Sequence, residues 1–394
     1  MISTDLIIQN AHIITVSARG EIANGCIAIK DEIIIDIFEG ENKDYHSETV
    51  IDANGKLVIP GFVDCHTHLV HAGSRANELQ YRLQGMSYQE IQQKGGGIHA
   101  SVRDTRAAAV EELYQQSLER AKLCIKHGTT TAEIKSGYGL EPATEKKMLE
   151  VIHRINDESD LETVATFLGP HVYPQDREPE AYLDWLLHEG LELAKEQAEF
   201  VDIYCDVGAY SYADTEKFLK AAKAKGISLK IHSGQFEALG ATGLAADLSV
   251  VSADHLDHVT EAEFDAMLRA GTVPVFLPGC SYYLKTAYPD ARPYLDAGMP
   301  VALATDYNPG TCPSLSIPMM MSLAVMHMGF TPDEALTAVT LNAAKALKQD
   351  HLIGSLEKGK QADILICEIG ELDDIIAMFG VNAVSTVVKK GLLI

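Results

Sequence analysis

What the sequence lacks narrows it first. It has no surplus of basic residues: 32 Lys and Arg stand against 56 Asp and Glu, for a net charge of −24. That balance argues against nucleic acid or an anionic membrane as a partner. The charges are scattered, with no acidic tail, so a well-solvated surface accounts for them. No CxxC pair is present either. The seven cysteines are an odd set in a chain of 394 residues, far too large to need disulfide staples, which points to a reducing compartment. The opening MISTDLIIQNAHIITV lacks the basic start and long apolar core of a secretory signal. No window reaches the length of a membrane span. A cytoplasmic protein is expected, without internal repeats or low-complexity tracts.

What is there reads as two kinds of segment. Residues 5–58 hold short Ile- and Val-rich strands punctuated by Gly and Asn. The middle alternates strand-like runs with long helices, the pattern of β/α units on a parallel sheet. Candidate strands run from Leu57 to Val63, Thr129 to Ile134, Thr163 to Leu168, Val201 to Val207, Ser228 to Ile231, Ser249 to Ala253, Thr272 to Leu277 and Pro300 to Ala304. Eight such strands predict an α/β fold, a (β/α)8 TIM-like barrel. One helical spacer is predicted from Arg106 to Lys126, with Val110, Leu113, Leu118, Ala121 and Ile125 on its inner face and Gly128 as its stop. Another starts at Thr331-Pro332-Asp333-Glu334, a cap and first turn in sequence, and runs to about Leu347. The tail then returns to strands. The expected organisation is a catalytic barrel over 59–352 and a small β-sandwich domain built from 1–58 and 353–394.

The polar residues fall at one end of this barrel. The stretch GFVDCHTHL places His66 and His68 directly after the first strand, and side chains two apart on extended backbone point the same way. A lone HxH carries little weight. Strand five, however, ends in His232, strand six in His255 and strand eight in Asp306. Chemistry in such barrels sits at the carboxyl ends of strands. Three neutral imidazoles and a carboxylate suit a divalent transition metal such as zinc or iron rather than oxygen-preferring calcium. Taken singly, the histidines read as core residues and Asp306 as a helix cap; their coincidence favours a metal site.

In this order the residues resemble the amidohydrolase superfamily, and within it the imidazolonepropionase family. The resemblance rests on PGFVDCHTHLVHAGSR (60–75), GGGI (95–98), EIKSGYGL (133–140), FLGPHVYP (167–174), SADHL (252–256), LPGCSYYL (277–284) and ATDYNPGTCP (304–313). It implies a homodimeric cyclic amidase that opens 4-imidazolone-5-propanoate, a small anionic heterocycle, to N-formimidoyl-L-glutamate. It also implies one metal ion, Zn2+ or Fe2+/Fe3+, on His66, His68, His232 and Asp306. Strand four ends in YCDVGAY, where Cys205-Asp206 offers no lysine to bridge a second ion. By the same resemblance Asp306 and His255 carry the catalytic proton transfers and oxyanion stabilisation. Arg75, Tyr138, His171, Asn308, Gly310 and Thr311 serve the substrate. Gln235 stands where many relatives have a glutamate; an amide takes no proton near neutral pH, so Gln235 is expected to position the ring.

Two other readings compete. One keeps the metal site and changes the ring, to a deaminase or cyclic amidase of another heterocycle, since fold does not decide substrate. The other is a non-catalytic binding protein on a decayed barrel, which the full set of ligand residues disfavours.

Overall fold

The computed structural model describes residues 1–86, 90–91 and 94–394. Among the described residues eight short parallel strands follow one another around the barrel sheet: β1 (Phe62–Asp64), β2 (Thr129–Lys135), β3 (Glu162–Phe167), β4 (Phe200–Val201), β5 (Ser228–Ser233), β6 (Ser252–His255), β7 (Val273–Phe276) and β8 (Ala302–Leu303), and a ninth short piece, Tyr204–Cys205, lies beyond β4 and also pairs with β5. The ring closes beyond β1 and β8, where Thr67 bridges Tyr307, Asp306 N donates to the His66 carbonyl at 3.0 Å and His68 N to the Tyr307 carbonyl at 2.8 Å. Barrel closure therefore runs through the segments that bear the expected ligands, which ties their positions to the fold itself. Most of the strand residues are buried, β2 entirely so, as expected for a parallel sheet covered by helices.

The first barrel strand is shorter than expected. Leu57–Pro60 belongs to a second sheet, and the chain crosses to β1 at Gly61. A Cβ there would lie 2.3 Å from Thr130 Oγ1, so only glycine lets the two sheets share one continuous segment. In the second sheet Leu57–Pro60 lies between Leu6–Ile14, which it meets in parallel, and Ile364–Cys367, which runs antiparallel to it. Both ends of the chain thus build this small sheet. It is joined to the barrel by a buried polar cluster: Lys389 Nζ lies 2.8 Å from Glu162 Oε2 in β3 and 2.7 Å from Asp363 Oδ2.

Two expected helices are each divided. Ile98–Ala107 and Val110–Lys126 are separate, because Ala108 and Ala109 take extended backbone. The inner face of the second comprises Leu113, Tyr114, Ser117, Ala121 and Cys124, with Val110 left outside. Gly128 ends it at φ +92°, and its bare Cα packs against Leu365 of the small sheet. Thr331 and Glu334 form the expected capping box, but that helix ends at Ala338. The Val339 carbonyl is diverted to Val63 N at 2.9 Å, and a new helix spans Leu341–Ala346. Among the described residues no helix is long and apolar enough to cross a membrane.

Candidate metal centre at the carboxyl ends of the strands

The ends of β1, β5, β6 and β8 converge. Nε2 of His66 and Nε2 of His68 each lie 3.5 Å from Asp306 Oδ1. The His232 ring centroid is 4.4 Å from that of His66, and the His255 centroid 5.4 Å from that of His232. Donor atoms of His66, His68 and Asp306 fall within 4.8 Å of one another, as do those of His66, His232 and His255. All five side chains are buried. Two of them sit on uncommon backbone: His255 has φ +82° and Asp306 φ +51°. Non-glycine residues in this region persist only where their surroundings hold them, and here the turn aims both side chains inward.

The imidazoles lack partners where a ligand would sit. Nε2 of His66 and of His232 and Nδ1 of His255 are buried without a hydrogen bond, which in a protein interior costs about 1–3 kcal/mol each. Their other faces are engaged. His66 Nδ1 is 2.6 Å from Asp254 Oδ2, and His232 Nδ1 is 2.9 Å from Asp202 Oδ2, though too far off line there for a hydrogen bond. Carboxylates behind imidazoles in this way turn Nε2 toward a metal. Burial first, then Lys135 and the neighbouring rings, holds His66 neutral and well below the usual imidazole range; burial and His171 do the same for His68. Burial lifts the Asp306 carboxyl to about 7, against the pull of His232. Neutral imidazoles and one carboxylate are a donor set that fits a divalent transition metal.

A cavity of about 150 Å3 opens above these ligands, lined by Arg75, Tyr138, His171, Gln235, Asn308 and Thr311 among others. His171 stacks on His68, with centroids 5.0 Å apart and planes 15° from parallel; burial drives its pKa down to about 3, so it faces the cavity uncharged. Arg75 is held by Glu78 in a two-pronged pair, Nε to Oε1 at 2.8 Å and a terminal nitrogen to Oε2 at 2.9 Å. Gly310 packs under that guanidinium: a Cβ would lie 2.0 Å from it. Asn308 spends its amide on the loop, donating to the Asp306 carbonyl and Thr311 Oγ1, each at 2.7 Å. It shapes the Asp306 turn as well as the cavity wall.

Gln235 is fixed in orientation. Its Oε1 accepts from Tyr204 O–H at 2.8 Å and its Nε2 donates to Cys280 Sγ at 3.4 Å. Asp206 holds the same loop by accepting backbone N–H groups of Gln235 and Phe236 at 2.8 and 2.9 Å. Sequence reasoning missed Tyr204, Glu78, Asp202 and Asp254. The last two carried a signal: each is a carboxylate inside an apolar strand run, FVDIY and SADHL, where an unpaired charge is rarely tolerated.

Comparison with known proteins agrees with this geometry. Residues 57–394 match the amidohydrolase family. The imidazolonepropionase of Alkaliphilus oremlandii is 44% identical over 384 residues, covering 95% of this chain and 91% of that protein. Those of Caldanaerobacter subterraneus subsp. tengcongensis and Geobacillus kaustophilus are 44% and 42% identical, over 94% and 95% of this chain and 90% and 91% of theirs. Among solved structures, a 5-methylcytosine deaminase from Klebsiella pneumoniae matches with a TM-score of 0.79 at 18% identity, over 98% of this chain and 97% of that one. A zinc-bound adenosine deaminase from Xanthomonas campestris gives 0.75 at 18%, over 100% and 93%. At such identities the two deaminases share the fold.

Proposed function

The chain belongs to the amidohydrolase family and, within it, to the imidazolonepropionases, and from that premise we propose that its strand-end site hydrolyses the ring amide of 4-imidazolone-5-propanoate to N-formimidoyl-L-glutamate. The observation that carries this reading is the convergence of His66, His68, His232 and Asp306 beneath a cavity that also presents an arginine. These four would hold one divalent ion, zinc or iron. Such an ion acidifies water toward neutral pH and polarises a carbonyl oxygen.

The chain's own residues divide the remaining work. Asp306 takes the proton of the attacking water at its carboxylate and passes it to the departing ring nitrogen. His255, the last residue of β6, stabilises the oxyanion that forms at the ring carbonyl. Arg75, preset by Glu78, meets the propionate carboxylate with a charge-assisted hydrogen bond. Tyr138 and His171 flank the ring, and Gln235 orients it through an amide that Tyr204 and Cys280 hold in place.

Two finer points go with this reading. Seven free, buried cysteines support a cytoplasmic setting. An exposed apolar groove bearing Tyr282, Met326 and Phe379 supports pairing with a second copy of the chain, which sedimentation tests. For the activity, purified protein offered 4-imidazolone-5-propanoate is expected to consume the imidazolone ultraviolet absorbance and release N-formimidoyl-L-glutamate. Deamination of another heterocycle with no opening of this ring would move the substrate elsewhere.

A further inference from the structure

Below the imidazoles the barrel interior carries charges that ring opening leaves without a role. Lys135 closes β2 and Lys230 lies in β5, and both are fully buried. A buried ammonium costs several kcal/mol unless it is paired, so its partners indicate why it is kept. Lys135 Nζ lies 2.8 Å from Asp202 Oδ2, 2.9 Å from Glu133 Oε1 and 3.6 Å from Asp254 Oδ2. Those two aspartate oxygens are the ones that face imidazoles: Asp202 Oδ2 stands 2.9 Å from His232 Nδ1, and Asp254 Oδ2 2.6 Å from His66 Nδ1. A single cation therefore touches both carboxylates that orient ligand histidines. Lys230 shares Glu133, through Oε2 at 2.7 Å, but its second partner is the Cys65 carbonyl at 3.3 Å.

Asp202 and Asp254 are close enough for their oxygens to fall, with a His232 nitrogen, within 4.8 Å of one another. Two buried carboxylates at that range repel unless a cation lies between them. Without it they move apart, and the separation loosens the imidazole Nδ1 that each faces. A loosened ring no longer keeps Nε2 turned toward the centre of the site.

We propose that Lys135 is a positioning residue for the metal centre, holding Asp202 and Asp254 together so that His232 and His66 both present Nε2 to the ion. This rests on reading the strand-end site as a metal centre. A merely structural ion pair would make Lys135 and Lys230 equivalent, since both are fully buried and both bind Glu133; a positioning role separates them.

The test uses full-length, metal-free protein: wild type, Lys135→Met and Lys230→Met. Zn2+ affinity is measured by competition with a chromogenic chelator, the Co2+-loaded forms by visible absorption, and folding by thermal melting. Lys135→Met is expected to bind Zn2+ about 10- to 100-fold more weakly with shifted Co2+ bands, while Lys230→Met stays within about threefold of wild type. Should Lys135→Met fail to fold, Lys135→Gln, which keeps a donor but no charge, takes its place with the same expected loss. Unchanged Zn2+ affinity in the position-135 variant, or equal losses in both lysine variants, overturns the proposal. A wild type that takes up neither ion removes the metal centre itself, and the proposal with it.

Discussion

Nδ1 of His66 lies 2.6 Å from Oδ2 of Asp254, although the two residues are 188 positions apart and β1 and β6 are not neighbours in the sheet. The carboxylate reaches across the barrel interior to set the direction of an imidazole that the backbone alone leaves free to turn. Asp254→Asn keeps the shape and removes the charge. It is expected to weaken metal affinity about 10- to 100-fold, read by chelator competition, with the fold intact by circular dichroism. Wild-type affinity in the variant would show that the contact is incidental.

Asp306 and His255 separate by what they lose. On the proposed roles, Asp306→Asn takes away both a ligand and a proton acceptor, so metal content and turnover are expected to fall together. His255→Gln is expected to lower kcat by about 10²- to 10⁴-fold with metal content near that of the wild type. Steady-state kinetics beside metal analysis of the same samples decides it, and a metal-free His255→Gln protein would assign His255 to the ligands.

Arg75→Lys keeps a positive charge and loses the planar fork that Glu78 presets. The lost charge-assisted hydrogen bond is worth about 1.5–3 kcal/mol, which is roughly 10- to 150-fold in KM. Turnover at saturation is expected to change little. A loss in kcat with KM unchanged would take Arg75 away from the propionate.

At the junction of the two sheets, Lys389 is 6% exposed and pairs with Glu162 and Asp363. Lys389→Met leaves those carboxylates without their cation and is expected to cost about 3–5 kcal/mol, visible as a lower Tm. Burial pushes the Glu162 carboxyl up, but Lys389 and Gln361 prevail and hold it below its ordinary 4.5. A depressed carboxylate contributes stability that is complete above pH 4.5 and drains away as pH falls through the lower, folded-state value. The wild type should therefore lose Tm in acid by a component that Lys389→Met lacks. Identical acid slopes would contradict the pairing.

The sequence made the polar rim legible because each of its residues follows a run of buried strand, so His66, His68, His232, His255 and Asp306 could be placed together by counting strands. It left the supporting layer illegible. Glu133, Lys135, Asp202, Lys230 and Asp254 come from β2, β5, β6 and the segment after β4, and apart from Glu133 with Lys135 their pairing exists only once the barrel closes. Gly61 reads as one more residue of a strand, because nothing in its neighbourhood reports that Thr130 will lie against it. The breaks at Ala108-Ala109 and at Val339 have the same origin. A helical pattern continues through them, and at Val339 a tertiary hydrogen bond to Val63 takes the carbonyl elsewhere.

The most direct test of the account follows the ultraviolet absorbance of 4-imidazolone-5-propanoate, generated in place from urocanate, with protein as purified, after chelation, and after return of zinc or iron separately. The predicted result is ring opening to N-formimidoyl-L-glutamate that chelation abolishes and at least one of the two ions restores. Ring opening that survives in protein verified to be metal-free, or none in folded protein loaded with either ion, would contradict it.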